Sequence, residues 1–259
     1  MRIALCIEYD GSRFHGWQQQ PGTATVQQHL AQAVSFVADQ KTSVTAAGRT
    51  DTGVHASAQI VHFDTTAQRH PYGWIRGINT RLPVGIAALW AQRVDDDFHA
   101  RFKAVSRHYR YIILNRSIRP TYLAGKVTWE YRLLQRQPML DASRYFLGEH
   151  DFSAFRASSC QAKSPWRTVT DISIGSCRDW LWMDIQASGF LHHMVRNIAG
   201  SLLMVASGEQ TPCWIEQVLR SGDRCQAGPT APADGLYLTG VEYDAKYGLP
   251  DPPPGCRYW

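Results

Sequence analysis

The chain of 259 residues has no paired-cysteine motif, which excludes several kinds of small structural site. Its six cysteines stand at residues 6, 160, 177, 213, 225 and 256, with no C-x-x-C spacing and no histidine at zinc-finger spacing. A zinc ribbon, a zinc finger and a disulfide framework are therefore not expected. The thiols are predicted to be reduced, as they are in a cytoplasmic protein.

Long hydrophobic runs are also lacking. The N-terminal stretch MRIALCIEYDG has only five uncharged residues between Arg2 and Glu8, too few for the core of a signal peptide. No later stretch approaches the roughly 18 apolar residues that a membrane span needs. The sequence thus predicts a soluble, cytoplasmic protein with no membrane partner.

Lysine is scarce, since 22 of the 27 basic residues are arginine, and the net charge is +5. Guanidinium groups suit bidentate phosphate contacts and stacking on flat rings, which favours a nucleic-acid partner. The codon bias of a GC-rich genome would produce the same preference, so composition leaves both explanations open.

Acidic residues are rare between residues 101 and 144. This segment contains ten basic residues and only two acidic ones, Glu130 and Asp141. Aromatic residues are interleaved with this basic block, namely Tyr109, Tyr111, Tyr122 and Trp129. Basic and aromatic side chains on a sheet are typical of surfaces that bind single-stranded RNA. A solvated edge strand and loop is the alternative interpretation.

Hydrophobic periodicity predicts the element order βαββαβ twice. In the first half it predicts strands at 2–9, 43–47, 56–64 and 85–94, a helix after a Thr25–Gln28 capping box, and a helix at 71–82. In the second half it predicts strands at 106–114, 166–176, 180–188 and 235–243, with helices from about 141, at 190–206 and at 212–221.

These patterns predict an α+β fold of two tandem ferredoxin-like, or RRM-like, halves whose antiparallel sheets merge around a central cleft. The predicted division is 1–104 for an N-terminal half and 105–245 for a C-terminal half. A proline-rich tail is predicted at 246–259, because its prolines oppose regular structure.

The stretch GRTDTG at 48–53 carries the strongest chemical signal. A carboxylate at Asp51, on a tight loop between two strands, would be held rigidly yet stay accessible to a substrate. Arg49 or another cation would keep it ionised, as a nucleophile must be. Gly48 and Gly53 would let a bulky substrate approach the backbone. An ordinary Asx-turn is the structural alternative.

Taken together, the motifs resemble the tRNA pseudouridine synthase A (TruA) family over residues 3–254. The motifs that carry the resemblance are YDG at 9–11, FHGWQQQP at 14–21, GRTDTGVHA at 48–56, FHAR at 98–101, SRHYRYII at 106–113, FLHHMVRN at 190–197 and GLYL at 235–238. They occur in the family's order, and Thr52 stands at the variable place of the aspartate loop.

The resemblance implies isomerisation of uridine to pseudouridine at positions 38, 39 and 40 of the tRNA anticodon stem-loop. It implies a homodimer that binds tRNA and uses no metal and no organic cofactor. Asp51 would be the nucleophile, Arg196 would pair with it, and Arg49 would help extrude the base. Tyr109 would pack on the target base and is also a candidate acceptor of the C5 proton. Arg107 and Arg110, on the same basic strand as Tyr109, would bind the substrate.

Two rival functions remain open at this stage. A non-catalytic RNA-binding protein on the same fold would need the basic surface but neither Asp51 nor Arg196. A pseudouridine synthase with a different target uridine would carry the same motifs.

Two short motifs suggest other activities that their context disfavours. The triplet Asp51-Thr52-Gly53 is that of aspartic proteases, but Arg49 would oppose the proton sharing which those enzymes need. The pair His192-His193 suggests a metal site, but adjacent positions on a predicted helix point about 100° apart.

Overall fold

The computed structural model describes residues 1–251, 253 and 256–258, and within them the chain forms a mixed α+β structure. Residues 252, 254, 255 and 259 of the predicted proline-rich tail lie outside the described residues. The strands are β1 (Arg2–Tyr9), β2 (Thr45–Ala46), β3 (His55–Asp64), β4 (Ile86–Val94), β5 (Ala104–Asn115), β6 (Thr128–Glu130), β7 (Gly148–Asp151), β8 (Trp166–Cys177), β9 (Trp180–Ala187) and β10 (Leu236–Tyr243). The helices are α1 (Val26–Ala38), α2 (Pro71–Asn79), α3 (Arg136–Ser143), α4 (Met194–Ala206) and α5 (Trp214–Ser221).

The described residues divide into two compact units. The first contains Met1–Val105 and Tyr237–Cys256, and the second is built mainly from Ser106–Leu236. The first unit thus includes most of β10, which the sequence division had placed in the C-terminal half.

In the first unit β1 lies between β3 and β4 and is antiparallel to both. The sequence predicts a strand with one buried face, but both faces of β1 are covered. Ala4 and Cys6, on the face expected to be exposed, pack in a cluster with Phe98 and Tyr247. Their small side chains leave room for these rings, and this explains why β1 is buried on both sides.

The first unit also contains a parallel strand pair, because β10 runs alongside β3 with Tyr237 opposite His55. In the second unit β6 is parallel to β5. The prediction of purely antiparallel sheets was therefore wrong. β10 reaches β3 through a long stretch of intervening chain, and such a return is not restricted to the antiparallel geometry of a hairpin.

Helix α1 begins where the sequence predicts, with Thr25 as its N-cap residue. The predicted capping box does not form, since the Thr25 side chain makes no capping hydrogen bond. Residues Val26, Leu30 and Val34 are buried on one face, so apolar packing holds this helix in place.

In the second unit the antiparallel order is β5-β9-β8-β7, and β8 and β9 form the predicted hairpin. Two helix starts were predicted wrongly. Helix α3 begins at Arg136 rather than near Asp141, because Pro138 falls in its first turn, where proline is tolerated. Helix α4 begins at Met194 rather than Phe190, because His193 has a left-handed backbone with φ of 62°.

Among the described residues, no helix combines the length and the apolar character needed to cross a membrane.

Candidate active site

The predicted aspartate loop connects β2 to β3 in the first unit. The Val54 amide donates to the Asp51 carbonyl at 3.1 Å and closes a tight turn, in which Gly53 has φ of 83°. Only glycine adopts that backbone conformation without strain. Asp51 is half-buried, whereas Arg49 is exposed. The loop therefore presents a carboxylate on a short, defined turn with an arginine two residues before it.

A buried network of hydrogen bonds lies beneath this loop. The side chain of Gln59, on β3, is 0% exposed, and its amide nitrogen donates to the Gly48 carbonyl at 2.6 Å. The Tyr9 and Thr50 hydroxyls are hydrogen-bonded at 2.8 Å. Burial raises the pKa of Tyr9 to about 12, so this phenol keeps its proton at neutral pH. Gly48 and Thr50, the residues on either side of Arg49, are thus each held by a hydrogen bond to this buried network.

Two glycines of the N-terminal motifs pack directly on the backbone of the aspartate loop. A Cβ atom at Gly11 would lie 2.0 Å from the Val54 carbonyl oxygen. One at Gly16 would lie 2.8 Å from the Thr50 carbonyl oxygen, and Gly16 has φ of 75°. The Trp17 amide also donates to that Thr50 oxygen at 3.0 Å. The YDG and HGW motifs therefore act as a frame for the loop that carries Asp51.

A histidine at the start of β3 secures one part of this frame. The Gly11 amide lies 3.0 Å from Nδ1 of His55, and Oδ1 of Asp10 lies 3.4 Å from the same nitrogen. The ring of His55 stacks on Tyr237 of β10, with centroids 4.5 Å apart. The late GLYL motif thereby contributes to the support of the aspartate loop.

In the second unit, the predicted base-stacking residue Tyr109 lies on β5 opposite Ile185 of β9. Its ring meets the edge of Phe190 with centroids 5.1 Å apart. The residue is 9% exposed, so most of the ring is already covered by protein.

The two predicted substrate-binding arginines of β5 lie on opposite faces, because side chains alternate along a strand. Arg107 shares the face of Tyr109, and its Nη1 donates to the Ser188 carbonyl at 2.9 Å. Arg110 lies on the other face and forms a two-bond ion pair with Asp184, at 2.7 and 2.8 Å. Arg107 therefore lies on the face that carries Tyr109, and Arg110 on the other face is paired with an internal carboxylate.

Arg196 lies in the first turn of α4 and is half-buried. Its Nε donates to the Ala231 carbonyl at 2.8 Å, and the Ala231 amide donates back to the Arg196 carbonyl at 3.1 Å. The next residue, Asn197, is fully buried and donates to the Phe155 carbonyl at 2.8 Å. The first turn of α4 is therefore anchored to two loops of its own unit.

The two histidines considered for metal binding do not lie on a helix, so the sequence argument against them used a wrong premise. His193 is the N-cap residue of α4, and the ring centroids of His192 and His193 are 4.0 Å apart. Nδ1 of His192 lies 3.1 Å from the Ser159 hydroxyl.

Sequence reasoning did not identify Gln59, Tyr9 or Asn197 as residues that support the site. A glutamine at an inward position of β3, among alanine, isoleucine and valine, was the available signal, because a buried amide needs partners. Asn197 was included in a motif, but no role was inferred for it.

Comparison with known proteins decides the family. A sequence model described as "tRNA pseudouridine synthase" matches residues 5–103 and 142–244, which is most of the chain. The chain belongs to the tRNA pseudouridine synthase family. Both the aspartate loop and Arg196 fall within the matched residues of that family.

Named relatives agree with this assignment. The chain is 53% identical over 250 residues to tRNA pseudouridine synthase A of Nitrosococcus oceani, with 96% of each chain covered. It is 50% identical over 255 residues to tRNA pseudouridine synthase A of Idiomarina loihiensis, with 98% of each covered. A crystal structure of a Cbf5-Nop10-Gar1 complex matches with a TM-score of 0.37 and 9% identity, over 91% of this chain and 57% of that one, a likeness too weak to support an argument.

Proposed function

We propose that this member of the tRNA pseudouridine synthase family isomerises uridine to pseudouridine at positions 38, 39 and 40 of the anticodon stem-loop. The observation that carries the proposal is the Asp51 loop, which lies within the residues matched by the family and is framed by Gly11 and Gly16. A frame of this kind suits a nucleophile, because catalysis depends on holding the reacting atom in place.

The reaction breaks the N1–C1′ glycosidic bond, turns the uracil, and joins C5 to C1′. The proton on C5 is lost and N1 regains one, so no atom is gained or lost and no electron is transferred to another molecule. A carboxylate that attacks C1′ or C6 starts this chemistry, and we assign that role to Asp51. The proton that leaves C5 needs an acceptor, for which the Tyr109 phenol is the candidate. We expect neither a metal nor an organic cofactor to take part.

The target base must leave the helical stack first, at a cost of a few kcal/mol. We propose that Arg49, which is exposed beside the nucleophile, fills the space that the base vacates. Tyr109 would stack on the extruded base, which is worth roughly 1–3 kcal/mol. Arg196 would keep the Asp51 carboxylate ionised. Arg107 would bind the RNA backbone, and Arg110 could do so only by leaving Asp184.

Several broader features belong to the same proposal. We expect the enzyme to act in the cytoplasm as a homodimer. The element order β1-α1-β2-β3-α2-β4 supports a ferredoxin-like origin for the first half, and the tandem arrangement of two such halves remains a prediction.

The decisive experiment compares Asp51→Asn with Asp39→Asn. Both variants exchange a carboxylate for an amide, but Asp39 is exposed at the end of α1 and its left-handed backbone suits asparagine. We expect Asp51→Asn to lower kcat at least about a thousand-fold, as the loss of a nucleophile does. Its Kd for tRNA should stay within a few-fold of wild type, and Asp39→Asn should remain fully active.

Mapping pseudouridine along the treated tRNA tests the target. Product at positions 38–40 alone supports the proposal, and product in another arm would refute the assigned specificity. Full activity of Asp51→Asn would refute the nucleophile. Tight tRNA binding by a wild-type protein that forms no pseudouridine would favour the non-catalytic RNA-binding alternative.

A further inference from the structure

Arg167, near the start of β8, is an arginine to which the sequence gave no role. It is half-buried, and burial lowers the pKa of its guanidinium. No carboxylate among the described residues forms an ion pair with it. Desolvating a cation without an opposite charge is costly, so this position needs an explanation.

Three of the other half-buried arginines are paired with a carboxylate, and they show which edge of the guanidinium receives a paired anion in this protein. In Arg2, Arg110 and Arg132, Nε and Nη2 bind the two oxygens of a single carboxylate. The carboxylates come from Asp64, Asp184 and Glu130 respectively. The Nε–Nη2 edge is the one that receives a bidentate anion in all three cases.

In Arg167 the opposite end of the guanidinium is occupied. Nη1 donates to the Ser164 carbonyl at 3.0 Å and to the Trp166 carbonyl at 2.5 Å. These two bonds fix the plane of the group. Among the described residues, no acceptor is hydrogen-bonded to Nε or to Nη2, so the bidentate edge is oriented but carries no protein anion.

Gly189 lies beside Nε at this edge. A Cβ atom at Gly189 would lie 3.7 Å from Nε of Arg167, and apart from the chain neighbours Ser188 and Phe190 it would meet only Arg167 within 4 Å among the described residues. In register on β7, the residue opposite Arg167 is His150 and not an acid. The residue beside Nε is thus a glycine, which has no side chain to cover that nitrogen.

The location connects Arg167 with the residues proposed to bind RNA. Arg107 on β5 and Val169 on β8 are both paired with Ala187 of β9, so they lie on one face of the sheet. Arg167 is two residues before Val169 and Tyr109 is two residues after Arg107, so all four share that face. Arg107 also donates to the Ser188 carbonyl, and the next residue, Gly189, is the one whose added Cβ would lie near Nε of Arg167.

We propose that the Nε–Nη2 edge of Arg167 binds a phosphate group of the tRNA backbone, on the sheet face that presents Tyr109. The inference rests on the proposed function, because the anion is taken to be part of the RNA substrate. Arg107 supplies a second cation on the same face. A phosphate has the paired oxygens that fit this edge, and the contact reads RNA shape rather than sequence.

The first test measures the Kd for unmodified tRNA across a range of potassium chloride concentrations. Arg167→Gln should raise Kd about tenfold and reduce the slope of log Kd against log salt by roughly 0.7–0.9, the value expected for one lost phosphate contact. In steady state KM should rise while kcat changes little, because the contact is made equally in the ground and transition states.

Two further variants separate a ligand contact from a structural role. Arg220→Gln on α5 is the matched control, since it removes one exposed positive charge that pairs with Glu216. It should leave both Kd and the salt slope unchanged. Gly189→Asp should place a carboxylate against the Arg167 edge, imitate the three internal pairs, and weaken tRNA binding at least as much as Arg167→Gln while keeping the melting temperature.

Wild-type affinity and slope in both Arg167→Gln and Gly189→Asp would overturn the inference. A lower melting temperature with an unchanged salt slope would also overturn it, and would identify Arg167 as a purely structural residue. Saturation of the site by inorganic phosphate at millimolar concentration, with no effect on tRNA binding, would assign the edge to a free anion instead. If the wild-type protein neither binds nor modifies tRNA, the proposed function itself fails.

Discussion

The hydroxyl of Tyr9 is hydrogen-bonded to Thr50, the neighbour of the proposed nucleophile. Removing this single oxygen atom is therefore predicted to lower the catalytic rate. Tyr9→Phe should lower the free energy of unfolding by about 1–2 kcal/mol, because the Thr50 hydroxyl loses a buried partner. It should also lower kcat roughly tenfold, since small displacements of a reacting group are costly. Single-turnover kinetics and urea unfolding measure the two effects.

The matched control for that substitution is Tyr243→Phe. The Tyr243 hydroxyl donates to the Ala100 carbonyl at 2.6 Å within the same unit. A similar loss of stability with unchanged kcat is expected. Equal kcat values for the two variants would show that Tyr9 does not position Asp51.

His62 predicts how stability depends on pH. Burial, followed by the nearby His99 and Arg2, lowers its pKa from 6.5 to about 4, although Asp64 opposes this. Its Nδ1 accepts from the Ala100 amide at 3.1 Å, so the ring is held neutral. The unfolded chain binds the proton more readily, so the stabilisation is complete above about pH 6.5 and is lost as the pH falls towards 4.

The difference between the pKa values of His62 in the unfolded and folded chain corresponds to a change of about 3 kcal/mol in the free energy of unfolding. Urea unfolding of the wild type and of His62→Gln between pH 7.5 and 4.5 measures it. The glutamine retains an acceptor but does not titrate, so its stability should decline less steeply with acid. Identical slopes would assign the acid sensitivity to other groups.

At the scale of elements, the packing of the HGW segment on the aspartate loop can be tested with two glycines. Gly16 and Gly22 have φ of 75° and 73°, so alanine is strained equally at both positions. A Cβ at Gly16 would contact the Thr50 backbone, whereas one at Gly22 meets nothing within 4 Å.

Gly16→Ala should therefore lower kcat at least tenfold beyond any loss in Gly22→Ala, which should cost only about 1 kcal/mol of stability. Activity assays at a temperature where both variants are folded make the comparison. Equal activities would mean that the segment does not hold the loop.

Element boundaries show what the sequence could reveal. β1, β3, β4 and the β8–β9 hairpin were predicted closely, because alternation and turn residues are local signals. The start of α4 was missed because the left-handed backbone of His193 is set by packing. The short strands β6 and β7 were missed because each is stabilised mainly by its partner strand.

The residues of the candidate site also fall into those that the sequence could indicate and those that it could not. Asp51 and Arg196 were proposed from motifs, and their roles stay predictions, whereas Gln59 and Arg167 became apparent only from their contacts. The hydrogen bond of Gln59 to Gly48 joins residues on either side of a turn, and the sequence gives no measure of such a distance. Likewise, Arg167 differs from Arg110 only in what lies next to its guanidinium.

At the scale of the whole molecule, the first unit is built from two distant segments of chain. Beyond the β3–β10 pair, Tyr247 of the second segment packs against Phe98. A fragment of residues 1–104 should therefore lack a cooperative unfolding transition, although it contains four strands and two helices of the unit. Linking residues 236–251 to its end should restore one, as circular dichroism during urea titration would show.

The stacking of His55 on Tyr237 also bears on the order of events during translation. The ribosome must add the whole stretch between His55 and Tyr237 before the second partner of this contact exists, so until then the His55 end of β3 has no β10 beside it. Messages truncated shortly before codon 237 should yield polypeptides that retain every residue proposed for catalysis and yet depend on chaperones and form no pseudouridine.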